Sequence, residues 1–182
     1  MRKVILASKS PRRQELLKEI VEDFDIVVST SKEKRPLFVS LKKVPMYLAK
    51  QKATEIYKKN KDSLVIGADT VVICDNEILG KPKDKQDAKR MITMLSNKTH
   101  IVVTGVYLIC KEYKKSFYEV TEVTFKNMSQ IEIDSYCELT NIYDKAGAYA
   151  IQEDAGQYIE KINGSYTNVV GLPVEALKKY IK

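Results

Sequence analysis

The segment from Ser8 to Leu17 places cations where the start of a helix would favour anions. Ser10 is predicted as the N-cap and Pro11 as the first helical residue, because the fixed φ and missing N–H of proline suit that position. Arg12 and Arg13 then lie beside the positive end of the helix macrodipole. Backbone N–H groups, serine hydroxyls and cations together suit a polyphosphate ligand, and a solvated charged turn is the alternative.

A carboxylate, Asp69, interrupts the apolar run from Leu64 to Ile73. Strand alternation puts Asp69 on the same face as Val65 and Val71, where an unpaired carboxylate is costly. Such a position suits a general base or a metal ligand, and a bulge whose backbone N–H groups satisfy the carboxylate is the alternative. Gly67 would let a backbone or a ligand approach the strand closely.

Three further polar residues are candidates for a binding site. Lys52 shares a helix face with Leu48 and Ile56, so its amine either reaches solvent at the edge of that face or meets a buried anion. Lys81 follows a strand beside a turn, and Gln152 follows a predicted strand where its carboxamide can hydrogen-bond a base edge. For Lys81 and Gln152, plain solvent exposure is the alternative.

Composition limits the function classes. The chain has 182 residues, 44% of them hydrophobic and 30% charged, which fits one large domain or two small lobes. No apolar run approaches the ~20 residues that span a bilayer, so no membrane partner is expected. The three cysteines lack C-x-x-C spacing, which favours buried thiols in a reducing, cytoplasmic setting.

The charge is concentrated in the first third of the chain. Residues 1–61 hold 16 Lys+Arg and 7 Asp+Glu, which favours an anionic partner, either a nucleotide or a nucleic acid. We find no helix-turn-helix, zinc-finger or RNP motif, so nucleic acid is not the expected partner. His100 is the only histidine, no G-x-S-x-G is present, and no P-loop or G-x-G-x-x-G occurs. A hard cation held by carboxylates remains open.

Periodicity predicts an alternating α/β order with a mixed sheet and a cleft. Predicted strands cover Val4–Ala7, Phe24–Ser29, Leu64–Cys74, Glu77–Leu79, Thr99–Lys111, Lys115–Phe125, Ala148–Ile151 and Tyr158–Ile162. Predicted helices cover residues 11–22, 45–60, a segment capped by Asp84 to about Ser96, a capping-box segment from Ser129 to about Thr140, and Pro173–Ile181. Residues 30–43 are expected to form an irregular basic loop.

The ordered set of these segments resembles the Maf (septum-formation) family of nucleoside triphosphate pyrophosphatases. The matching segments are residues 5–17, Gly67–Val72, Gly80–Pro82, His100 with Thr104–Val106, Asp144–Gln152, and Gly164–Tyr166 with Val169–Pro173. They occur in the family's order and spacing over nearly the whole chain. The resemblance implies one domain over residues 1–182, with an α/β fold: an elongated mixed β-sheet flanked by helices, and two lobes around a deep cleft, as in inosine-triphosphate pyrophosphatases.

The resemblance also implies an activity and a site. The expected enzyme is a cytoplasmic hydrolase, often dimeric, that cleaves dTTP and UTP between the α and β phosphates and requires Mg²⁺ or Mn²⁺. Asp69 matches the family's proposed proton acceptor. The positions associated with base choice are Arg12, Thr70 and Gln152, and those of the phosphate and metal sites are Ser8, Arg13, Glu33, Lys52 and Lys81. Glu33 and Asp69 are the metal-ligand candidates.

Two departures from the family pattern affect details of the site. The segment Ser31–Lys34 lacks the usual Val-Asp-Glu form, so only Glu33 carries over, and Glu153 stands where a glycine is common. Three alternatives stay open: an inosine-triphosphate-type pyrophosphatase, a non-catalytic nucleotide sensor in cell division, and a basic nucleic-acid-binding protein. Pyrophosphate release and salt-dependent retention of nucleic acid discriminate among them.

Overall fold

The computed structural model of the protein describes residues 2–181. The chain divides into two compact units. Within the described residues, the first unit comprises residues 2–70, 104–119 and 167–181, and the second comprises residues 71–103 and 120–166. That the chain acts as one domain over residues 1–182 stays a prediction.

Within the described residues, the strands form one mixed sheet of seven strands in the order β2-β1-β3-β5-β6-β7, with β4 paired to β3. The β1–β2 and β1–β3 pairs are parallel, whereas the β3–β4 and β6–β7 pairs are antiparallel. The mixed α/β sheet predicted from the sequence is therefore confirmed. The strands are β1 Val4–Leu6, β2 Asp25–Ile26, β3 Leu64–Cys74, β4 Glu77–Leu79, β5 Thr99–Ile109, β6 Lys114–Phe125 and β7 Ile159–Asn163.

Six α-helices occur within residues 2–181, together with four 3₁₀ turns, three of which lie between α4 and β7. They are α1 Pro11–Lys18, α2 Val44–Lys59, α3 Lys85–Leu95, α4 Gln130–Tyr136, α5 Tyr166–Val170 and α6 Val174–Leu177. Two of the three predicted N-caps form side-chain hydrogen bonds: Asp84 accepts one from the N–H of Asp87, and Ser129 forms a capping box with Glu132. No helix in this part of the chain has the length and apolar character needed to cross a bilayer.

In the first unit, α2 packs unusually close to the strands. A Cβ added to Gly67 on β3 would lie 2.3 Å from the carbonyl oxygen of Ala49, and one added to Gly105 on β5 would lie 2.1 Å from the N of Met46. Both glycines therefore admit the backbone of α2 itself, as the sequence predicted for Gly67. The shared core includes Ile5, Ala49, Ala53, Ile56, Val65 and Tyr107.

The strand predicted over Ala148–Ile151 was wrong. Residues 148–151 form no strand; a 3₁₀ turn spans Ala146–Ala148 instead. Gly147 has a φ of 69° and Ala148 a φ of 61°, and two consecutive left-handed residues turn the backbone out of an extended path. The helix predicted over residues 11–22 ends at Lys18, the one predicted to about Thr140 ends at Tyr136, and the last one covers only Val174–Leu177.

The second unit buries the single histidine in an aromatic cluster. The Nε2 of His100 lies 2.7 Å from the hydroxyl of Tyr149, and its ring packs edge-on against Tyr149 and Phe125. His100 is 2% exposed, and its Nδ1 has no hydrogen-bond partner. Burial lowers the pKa of His100 to about 4. The imidazole is therefore neutral in the folded protein at neutral pH.

This burial predicts a pH dependence of stability. Between pH 6.5 and 4 the unfolded chain binds a proton at His100 that the folded protein does not, so the free energy of unfolding falls as the pH falls. At pH 4, protonation of His100 in the unfolded chain lowers the free energy of unfolding by about 3 kcal/mol relative to neutral pH. Urea unfolding at several pH values should show a steeper acid-side loss in the wild type than in His100→Gln. Parallel curves for the two proteins would contradict a buried neutral imidazole.

Candidate active site

Asp69 and Thr70 are the two half-buried residues in β3, whose other nine residues are buried. The side chain of Asp69 is 14% exposed, so its carboxylate is mostly removed from water. A carboxylate in that position needs a cation or strong hydrogen-bond donors to remain charged. The break in the apolar pattern seen in the sequence thus marks the point where β3 presents polar groups to an accessible surface.

The cation that meets Asp69 is Lys52 on α2. Its Nζ lies 2.5 Å from Asp69 Oδ1 and 3.2 Å from Glu33 Oε1. The Lys52 side chain is also 14% exposed, so the charge pair is largely desolvated. Of the two outcomes left open for Lys52, the buried anion is the one observed. One ammonium therefore joins two carboxylates that are far apart in sequence.

The loop that carries Glu33 is anchored to α2 on both sides of that residue. Before Glu33, the carboxylate of Glu55 accepts hydrogen bonds from the Ser29 hydroxyl, from the Thr30 N–H at 3.1 Å and from the Ser31 N–H at 3.3 Å. The Ser29 hydroxyl is the main cause that lowers the pKa of Glu55 to about 2. Glu55 therefore stays ionised and holds the loop throughout the neutral pH range.

After Glu33, the side chain of Gln51 bonds both backbone groups of Lys34. Its Oε1 accepts from the Lys34 N–H at 3.0 Å, and its Nε2 donates to the Lys34 carbonyl at 2.6 Å. Gln51, Lys52 and Glu55 are spaced so that they lie within about one turn of α2. One helical turn therefore both holds the loop and supplies the cation that Glu33 contacts.

Removing the charge of Glu55 should loosen this loop. A neutral amide in Glu55→Gln has one acceptor oxygen for several donors, so Glu33 would lose its fixed position. For the triphosphate hydrolysis that the family resemblance implies, we expect kcat/KM to fall about tenfold and the concentration of divalent metal needed for half-maximal rate to rise. The matched control is Glu160→Gln, an exposed glutamate on β7. Unchanged metal dependence in Glu55→Gln would show that the anchor does not position Glu33.

A second group of contacts surrounds Arg13 on α1. Its Nε donates to the carbonyl of Gly171 at 2.8 Å, and its two terminal nitrogens donate to Ser8 Oγ at 3.2 Å and Thr70 Oγ1 at 2.9 Å. Burial lowers the pKa of the Arg13 guanidinium, and the nearby Asp69 carboxylate opposes that shift. Ser10 caps α1 with extended backbone but without a side-chain hydrogen bond. Arg13 thus joins Ser8 and Thr70, two residues predicted separately from sequence.

Two residues that sequence reasoning missed extend this network. Thr104 Oγ1 lies 2.9 Å from Thr70 Oγ1 and donates to the backbone carbonyl of Asn168 at 2.8 Å. Asn168 Oδ1 accepts from the Thr104 N–H at 3.2 Å, and both residues are fully buried. Thr104 interrupts an apolar run much as Asp69 does, so the same signal could have found it. Nothing in the sequence singles out Asn168.

The other predicted site residues lie as follows. Arg12 follows Pro11 in α1 and is half-buried. Lys81, directly after β4, and Gln152, in a turn, belong to the second unit and are both exposed. Gln152 does not follow a strand, because the predicted strand before it is a turn. The roles of these three residues in binding stay predictions.

The carboxylates of Glu33 and Asp69 are the groups of this site that could bind a divalent cation. Within residues 2–181, no group of three or more His, Cys, Asp or Glu side chains converges as a metal site. Glu33 and Asp69 nevertheless converge on one cation, the Lys52 ammonium. Mg²⁺ is commonly held by only one or two carboxylates, with substrate phosphates and water completing its shell. The two carboxylates therefore fit a hard cation that binds together with a phosphate ligand.

Comparison with known proteins identifies the family. Residues 3–182 match the family described as Maf-like protein. The chain belongs to the Maf family. A dTTP/UTP pyrophosphatase of Bacillus cereus is 46% identical over 182 residues, which covers 100% of this chain and 95% of that protein. A protein of the same description from Bacillus anthracis is also 46% identical, with the same coverage. The family predicted from the ordered motifs is thus confirmed.

Solved structures show the same fold. The Staphylococcus aureus Ham1 protein matches this Maf-family chain with a TM-score of 0.56 and 14% identity, covering 98% of this chain and 97% of its own. A HAM1 protein from Coxiella burnetii matches with a TM-score of 0.52 and 13% identity, covering 99% and 98%. At such identities the likeness concerns the fold alone, and it agrees with the open mixed sheet.

Proposed function

We propose that this chain is a nucleoside triphosphate pyrophosphatase that hydrolyses dTTP and UTP to the monophosphate and pyrophosphate. The observation that carries the proposal is the Asp69–Lys52–Glu33 cluster, two carboxylates held by one ammonium at a break in a buried strand. Support also comes from the full-length relatives described as dTTP/UTP pyrophosphatases at 46% identity. We further propose a reducing, cytoplasmic setting, which the three buried free cysteines support.

In the proposed reaction, Asp69 accepts a proton from the water that attacks the α-phosphorus, and pyrophosphate leaves with the electrons of the broken P–O bond. Lys52 orients the Asp69 carboxylate through its 2.5 Å contact. Ser8, Arg13, Lys52 and Lys81 are assigned to the triphosphate, where cations would offset the charge that builds on the leaving group. Arg12, Thr70 and Gln152 are assigned to the choice of base.

Glu33 and Asp69 are the residues that would hold a divalent cation, Mg²⁺ or Mn²⁺. When bound, such a cation offsets phosphate charge and polarises phosphoryl oxygens. A carboxylate that is a tight inner ligand is a poor proton acceptor, so Asp69 cannot fill both roles through the same oxygen at once. We assign the role of direct metal ligand to Glu33. Glu55 and Gln51 on α2 hold the loop that carries Glu33 in place.

The test is pyrophosphate release from dTTP, UTP, CTP, ITP and methylated GTP with Mg²⁺ or Mn²⁺. Release from dTTP and UTP in preference to the others is the expected result. Release from ITP or methylated GTP alone would keep the reaction and overturn the assignment of the base. Absence of release from every substrate would overturn the enzyme and favour a nucleotide sensor.

The two neighbouring arginines should differ in mutant kinetics. All three nitrogens of the Arg13 guanidinium donate to groups of the protein, so Arg13→Ala should lower kcat/KM for every substrate alike. Arg12→Ala should instead lower the preference for dTTP over ITP by about tenfold, because Arg12 is the arginine assigned to the base. Steady-state kinetics with dTTP and with ITP gives the ratio of the two kcat/KM values. Equal losses on both substrates in Arg12→Ala would refute the distinction.

A further inference from the structure

The hydroxyl of Thr70 has its hydrogen and one lone pair committed within the protein. Thr104 Oγ1 has a single hydrogen, and it donates that hydrogen to the Asn168 carbonyl at 2.8 Å, since a carbonyl can only accept. In the 2.9 Å contact between the two threonine hydroxyls, Thr70 must therefore be the donor. Arg13 donates to Thr70 Oγ1 at 2.9 Å and occupies one of its two lone pairs. One lone pair remains.

Burial keeps the direction of the Thr70–Thr104 hydrogen bond from reversing. Thr104 and Asn168 are 0% exposed, so no solvent competes for the Thr104 hydrogen. Asn168 Oδ1 also accepts from the Thr104 N–H at 3.2 Å, which ties the backbone of both residues together. Turning the Thr104 hydroxyl towards Thr70 would leave the buried Asn168 carbonyl without this partner, which is unfavourable. Thr70 itself is half-buried, so its free lone pair can meet a ligand.

We propose that Thr104 is a positioning residue that locks Thr70 as a hydrogen-bond acceptor, so that the site selects pyrimidines with a protonated ring nitrogen. The inference rests on the proposed function and specifies its substrate class. Uracil and thymine carry an N–H at N3, which can donate to the remaining lone pair of Thr70. Cytosine carries a lone pair at N3, which would face the lone pair of Thr70 without a hydrogen between them.

The direction of the Thr70–Thr104 hydrogen bond also affects whether Thr70 can bind phosphate. A phosphate oxygen accepts hydrogen bonds, and Thr70 has no hydrogen left to donate to it. Thr70 therefore cannot donate to a phosphate oxygen, which fits its assignment to the base rather than to the triphosphate. Sites that are built to bond a particular N–H or O–H reject analogues that lack it, because a desolvated polar group is then left unpaired.

The experiment measures equilibrium binding of UMP and CMP by calorimetry, which requires no turnover. The wild type should bind UMP at least about tenfold more tightly than CMP. Thr104→Val keeps the side-chain shape but removes the acceptor, so the Thr70 hydrogen is released and the ratio should fall to about threefold or less. Thr104→Ser keeps the hydroxyl and should keep the wild-type ratio. Thr121→Val is the matched control, because Thr121 is also fully buried and donates to a backbone carbonyl, that of Ser165, at 3.0 Å.

A UMP preference that is absent from the wild type, or that persists in Thr104→Val, would overturn the inference. If Thr104→Val fails to fold by circular dichroism, Thr70→Val replaces it, and that variant should lose UMP affinity without losing CMP affinity. Equal losses for both nucleotides would then overturn the inference. Because binding is the readout, a protein that prefers UMP but releases no pyrophosphate from UTP would refute the proposed function and leave this inference standing.

Discussion

Asp69→Asn should abolish pyrophosphate release, with kcat on dTTP or UTP lowered by about 1,000-fold or more at saturating metal. Asparagine keeps the size of the side chain and can still accept from Lys52, so the fold and the Lys52 contact are preserved. It cannot take a proton from water near neutral pH, so the loss would fall on the chemical step. Stopped-time measurements of pyrophosphate at several metal concentrations give kcat directly.

The control for this variant is Asp25→Asn. Asp25 lies in the same unit on β2 and pairs with Lys3 at 2.5 Å, but it is half exposed and far from β3 in sequence. Its loss should leave kcat unchanged within about twofold, because exposed ion pairs contribute little. Near-normal turnover in Asp69→Asn with metal saturating would show that Asp69 is not the proton acceptor.

Gly105→Ala should have the largest effect on stability. The added Cβ would lie 2.1 Å from the Met46 N and 2.4 Å from the Pro45 carbonyl carbon, both backbone atoms at the start of α2. No side-chain rotation relieves such a clash, so α2 must move off the sheet. We expect a loss of about 3 kcal/mol or more in the free energy of unfolding. Thermal unfolding should show a Tm about 10 °C lower.

Gly80→Ala is the matched control, because a Cβ added there meets nothing within 4 Å. Its Tm should lie within about 2 °C of the wild type. Gly105→Ala should also reduce kcat, because α2 carries Lys52 and the anchors of the Glu33 loop. A stable and fully active Gly105→Ala protein would mean that the close approach of α2 to β5 is not needed to build the site.

Sequence alone determined the elements whose signals are local. The Asp84 cap, the Ser129 capping box and the full span of β3 follow from neighbouring residues, and the structure has them where predicted. Asp69 could be singled out because a carboxylate inside an apolar run conflicts with burial. The family followed from the order and spacing of short motifs over the whole chain. That order is a property of the sequence and does not depend on where each helix or strand begins or ends.

Only the tertiary structure decided which side chains meet. Lys52 and Asp69 are brought together because two glycines let α2 approach the strands, whereas the sequence alone favoured solvent as the surroundings of the Lys52 amine. The path of residues 148–151 was mispredicted because an apolar stretch favours a strand, whereas the backbone is left-handed at Gly147 and Ala148 and turns away from an extended path. The direction of the Thr70–Thr104 hydrogen bond depends on the carbonyl of Asn168, which lies 64 residues after Thr104 in the chain. Hydrogen-bond polarity is set by such long-range partners, and no local pattern encodes them.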